Sequence, residues 1–154
     1  MEDDVADFYC EQDSLQLSKK PLWHYTADRL LEPDRDLLIE EKVSGGCGAG
    51  GNWGVFWERS FRPIEGGKLG TPVLTLESRS QYSVDSSELT EMDTTYSLAG
   101  GWPKQVVVTT DTTTCVRNVD DDCARKTRKT TRETWELKDG KYQMQGKVGR
   151  KKTR

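Results

Sequence analysis

The stretch PKQVVVTTDTTTC, residues 103–115, restricts the fold more than any other. From Val106 to Thr114 every residue except Asp111 is β-branched. Such side chains lose χ1 freedom in a helix and pack well on a pleated surface, so the run predicts a strand. CARKTRKTTRETWELK, residues 123–138, follows as its antiparallel mate. KDGK at 138–141 is a strong hairpin signal, because Asp-Gly accepts the positive φ angles of a tight turn. YQMQGKV then returns. The prediction is a C-terminal three-strand meander running 105–115, 123–137 and 141–148.

The same grammar extends upstream. GVFWERSF, residues 54–61, alternates, with Val55, Trp57 and Arg59 on one face and Phe56, Glu58 and Ser60 on the other. TPVLTLESRSQYSV, residues 71–84, reads as one long strand or two short ones, and DLLIEEKV, residues 36–43, as a first strand. DSSELTEMDTTYSL permits either one helical turn at Glu88 to Met92 or a loop. Strands separated by frequent turn signals, with no alternating helices, imply an all-β domain: an antiparallel sandwich or a small open barrel. The expected organisation is an irregular N-terminal arm over 1–36, interrupted by Pro21 and Pro33, a β domain over 37–148, and a basic tail over 149–154.

GCGAGGNW, residues 46–53, raises a different possibility, since Gly46, Gly48 and Gly51 have the G-x-G-x-x-G spacing of a nucleotide loop. A phosphate cradle needs a helix behind it, and here a strand pattern follows. The glycines are read instead as positive-φ positions in a connection between strands.

Of the four cysteines, Cys115 and Cys123 bracket the turn-like VRNVDDD between two strands, close enough for a disulfide. Cys10 then pairs with Cys47. With His24 as the single histidine and no C-x-x-C, a zinc site is not expected, and neither is a cofactor. Disulfides indicate an oxidising compartment, so a periplasmic or secreted location is expected, with the leader replaced. No apolar run is long enough to span a bilayer as a helix.

The elements GCGAGGNWGVFWE, AGGWPKQVVVTT and RETWELKDGKYQ together resemble a loose class of small exported bacterial β-proteins. Gly101, Trp102 and Pro103 match that class's middle turn, with Lys104 where an Asp is usual. Trp135, Leu137, Asp139, Gly140 and Tyr142 match its final hairpin. The resemblance covers residues 45–145 and implies a binding role, as in periplasmic lysozyme inhibitors and toxin-immunity proteins.

Charge is polarised within a net of −3: residues 1–123 carry 23 acids against 11 bases, whereas 124–154 carry 3 against 12. Asp120, Asp121 and Asp122 sit at the expected hairpin tip, where they can plug a cationic groove or simply cap a solvated turn. Arg125, Lys126, Arg128, Lys129 and Arg132 line one strand, as a contact surface or as charges that guard an edge. With Cys115 facing Cys123, Asp111 is expected opposite Thr127. Trp57 and Trp135 are assigned to the core; Trp53 and Trp102, in turns, to contact. The acidic remainder of the chain argues against nucleic acid, and no nucleophile motif accompanies His24, so an enzyme is not expected.

The expected function is therefore an exported inhibitor or immunity protein that binds a toxin or hydrolase. Asp120–Asp122, Trp53, Trp102, Arg125 and Arg128 are its contact residues. A carbohydrate-binding module using the turn tryptophans, or an envelope assembly component, is the alternative.

Overall fold

The computed structural model describes residues 8–11, 14–17, 24–47, 52–84, 87–118, 120 and 123–153. All regular elements among them are strands, so the all-β expectation holds. β1 (Phe8–Glu11) and β2 (Ser14–Leu17) form a separate hairpin. β3 (His24–Glu32), β4 (Arg35–Cys47), β5 (Trp53–Glu65), β7 (Leu74–Val84), β8 (Glu88–Ala99), β9 (Gln105–Arg117), β10 (Cys123–Lys138) and β11 (Lys141–Thr153) lie side by side in chain order. The two-residue β6 (Lys68–Leu69) pairs back on β5, completing an open nine-stranded antiparallel sheet.

Two turns follow directly from sequence. Gly66 and Gly67, at φ 57° and 76°, join β5 to β6. Asp139 and Gly140, at φ 52° and 82°, join β10 to β11 as KDGK predicts. The predicted C-terminal meander is present, with β11 carried on to Thr153.

The core forms because the sheet doubles over. β7 pairs with β8 only from Arg79↔Asp93 to Val84↔Glu88, so Leu74–Glu77 and Thr94–Ala99 diverge. A bulge between Trp57 and Glu58 leaves Ser78 as the extra residue on β7, and its hydroxyl donates to the Trp57 carbonyl at 3.2 Å. Into the space between the diverging strands project Leu30, Leu37, Ile39, Phe61, Leu74, Leu76, Val106, Val108 and Tyr142. Phe61, with no exposed surface, meets the edge of Tyr96 at a centroid distance of 5.3 Å.

Hydrogen bonds then tie the two halves together. The Tyr96 hydroxyl donates to Asp28 at 2.8 Å, and the Lys104 backbone N–H donates to the Leu30 carbonyl at 2.7 Å. Tyr142 donates across through its backbone N–H to the Val73 carbonyl at 2.8 Å and, within its own half, through its hydroxyl to the Lys104 carbonyl at 2.7 Å. Burial pushes both phenols up to about 12, and at Tyr96 the Asp28 carboxylate adds to the effect.

Several expectations are corrected. The arm over 1–36 contributes β1, β2 and the sheet strand β3, because HYTAD, residues 24–28, pairs with LLIEE, residues 37–41, and Leu30 just beyond is buried. Residues 149–153 of the expected tail are part of β11, held by pairs such as Thr131↔Gly149 and Lys129↔Lys151. Residues 88–99 form β8, since pairing on both sides outweighs a single helical turn. Gly45 and Gly46 are strand residues opposite Val55 and Gly54, and residues 48–51 of the glycine connection lie outside the described residues. In the β9–β10 ribbon Asp111 faces Thr130 and not Thr127, because Cys123 lies opposite Arg117 and not Cys115, and a bulge between Cys123 and Arg125 shifts the register by one further residue.

Candidate functional site

The disulfide-closed end of the β9–β10 ribbon is the first candidate. Cys115 and Cys123 are bonded across a Cα separation of 5.4 Å, enclosing the acidic loop. Strand pairing brings the chain to this point, since Cys123 lies opposite Arg117 and Arg125 opposite Val116. Asp120 is exposed in a turn, its backbone N–H donating to the Asn118 side chain at 2.9 Å. Asp121 and Asp122 lie outside the described residues. Cys47 is also disulfide-bonded; the side chain of Cys10, its expected partner, lies outside the described residues.

The remaining contact candidates separate. Arg125 is exposed near the tip. Arg128 turns to the sheet and pairs with Asp111 at 3.5 Å, where Thr130 also donates to Asp111 at 2.6 Å. That pairing has a local cause: Asp93 and Asp111 stand directly opposite each other, a repulsive arrangement offset by Arg79 at 3.8 Å from Asp93 and by Arg128.

Trp53 is not in a turn; it opens β5 opposite Cys47 and is half-buried. Trp102 is in a turn and 44% exposed, but the Lys104 ammonium sits 4.7 Å from its ring centroid, covering one face. Trp57 is buried with the Arg79 guanidinium over its ring at 5.2 Å, and Trp135 packs against the core. Trp23 lies outside the described residues.

A second feature was not anticipated from sequence. Beyond the apolar core the doubled sheet borders a half-open cavity of about 310 Å³. Leu76, Met92, Val108 and Trp135 supply its apolar surface, and Thr75, Thr94, Thr110, Thr112 and Thr131 its hydroxyls. Glu77, Lys129, Glu133 and Lys147 complete the lining. Glu133 accepts from the Trp135 indole N–H at 3.0 Å and pairs with Lys147 at 3.4 Å. The only sequence signal was the alternation of Thr110, Thr112 and Thr114, but which face it lines depends on the fold-over. Among the described residues no group of three or more His, Cys, Asp or Glu gathers in a way that can hold a metal ion.

Comparison with known family models, curated proteins and solved structures finds no match to this chain. No helix among the described residues is long and apolar enough to cross a membrane.

Proposed function

We propose that this protein is an exported inhibitor or immunity protein. It neutralises a toxic, envelope-directed enzyme by placing the closed end of the β9–β10 ribbon in that enzyme's active-site cleft. The observation that carries the reading is the Cys115–Cys123 disulfide, which closes an acidic loop whose Asp120 is exposed. A loop closed in this way loses less conformational entropy on binding, and its carboxylates steer it toward a cationic cleft. Arg125 and the uncovered face of Trp102 are further contacts; Arg128, engaged with Asp111, is a weaker one.

The experiment is an affinity capture with the oxidised protein from an envelope and secreted extract of its source, followed by assay of the captured enzyme. The expected result is one stoichiometric enzyme, inhibited by the protein. Changing Asp120, Asp121 and Asp122 together to Ser should then weaken binding by at least about tenfold, the scale of losing central charge contacts. Undiminished inhibition by that variant would refute the tip mechanism.

A further inference from the structure

We infer that the threonine-lined cavity between β7 and β11 is a binding site for a small amphipathic monoanion, a compact apolar body bearing one carboxylate. The inference rests on the cavity alone and does not depend on the inhibitor reading.

The lining is graded along the strands. Trp135, next to the core row of Leu98 and Val106, marks the apolar end, and Val108 and Glu133 follow it. Next come Thr94–Thr110–Thr131 and then Met92–Thr112–Lys129. Apolar surface thus gives way to hydroxyls and then to an ammonium group within a few residues, the order of groups along an amphipathic acid. At about 310 Å³ the cavity falls at the lower end of small-molecule sites, which run from about 300 Å³ upward.

The charges select the sign of the ligand. Glu133 is already satisfied by Trp135 and Lys147. Lys129 has no ion-pair partner among the described residues, and it stands directly opposite Lys151, which has none either. Like charges placed opposite each other across two strands repel, and an anion seated between them removes the penalty. On the opposite wall Glu77, an exposed carboxylate on β7, lines the same cavity, and the two ammonium groups of Lys129 and Lys151 outnumber it. The hydroxyls of Thr112 and Thr131 have no side-chain partner among the described residues and can bond the same head group.

A missing side chain leaves space beside Lys129. Gly149 faces Thr131, and a Cβ there would lie 3.4 Å from Thr131 Cγ2 and 4.0 Å from Lys129 Cε. These are ordinary contact distances, so a larger residue can be accommodated, but it would occupy the space beside Lys129.

The test uses anilinonaphthalene sulfonate, a fluorescent amphipathic monoanion, titrated into the intact oxidised protein. One probe should bind per chain, with energy transfer from tryptophan, and octanoate should displace it while octanol, lacking the charge, should do so far less well. Lys129→Gln, at an exposed position, should weaken the probe about fivefold, the scale of a solvent-edge charge pair. Gly149→Leu should abolish binding. Near-UV circular dichroism of each variant separates loss of the site from loss of the fold. Equal displacement by octanoate and octanol, or unchanged binding in a folded Lys129→Gln variant, would overturn the inference.

Discussion

The two ends of the β8–β9–β10 layer solve the same problem by different means. At one end Leu98, Val106, Val108 and Trp135 turn inward on Phe61, Leu74 and Leu76, and the Tyr142 backbone N–H bonds across to the Val73 carbonyl in the first half of the sheet. At the other end threonines and charges replace the apolar residues: Thr90 and Thr114 share a hydrogen bond at 3.2 Å, and so do Thr94 and Thr110. There the ribbon is closed by Cys115–Cys123. Burial of apolar surface holds the first end and a covalent crosslink holds the second. A lean chain, 33% apolar, can therefore extend long strands past its core and leave polar surface there for recognition.

The largest test of this contrast is to break the apolar end. Phe61→Ala removes a fully buried ring and its contact with Tyr96, and urea unfolding should show a loss of about 3–5 kcal/mol. Breaking the other end should cost less. Cys115→Ser with Cys123→Ser opens a short loop, with an expected loss of about 2–3 kcal/mol in the same measurement. A cost above that of Phe61→Ala would invert the assignment of stability to the two ends.

Tyr142→Phe sharpens the picture of the latch. It removes the bond to the Lys104 carbonyl, with an expected cost of about 1–2 kcal/mol. Because burial raises the Tyr96 and Tyr142 phenols from near 10 to about 12, the folded state holds their protons more tightly than the unfolded chain. Their contribution is complete below pH 10 and is lost as pH rises through 12. Thermal midpoints should therefore fall over that window, and less steeply in Tyr142→Phe. The smallest effect is expected at the polar end: Asp93→Asn relieves the repulsion with Asp111 but gives up the ion pair with Arg79, so its unfolding free energy should change by under about 0.5 kcal/mol.

Strands that carry their own periodicity or turn chemistry were legible in the chain. The β-branched run before Cys115, the Asp-Gly turn and the alternating GVFWERSF each state a local preference that the fold keeps. The N-terminal third was less legible, because HYTADRLLE has no alternation of its own and becomes a strand only when Leu30 finds the core. The acidic tip could be located through its bracketing cysteines. The cavity could not, since Thr75 on β7 and Lys147 on β11 line it together only after the sheet doubles over.

The sequence by itself determined an all-β antiparallel chain, a C-terminal meander and a disulfide-closed acidic hairpin, because β-branching, Asp-Gly turns and short Cys spacing act locally. Only the tertiary structure decided the register of the β9–β10 ribbon, the place of β3 in the sheet and the threonine-lined cavity. Those follow from where bulges fall and where the sheet parts between β7 and β8, and such choices are made by burial shared among residues far apart in the chain.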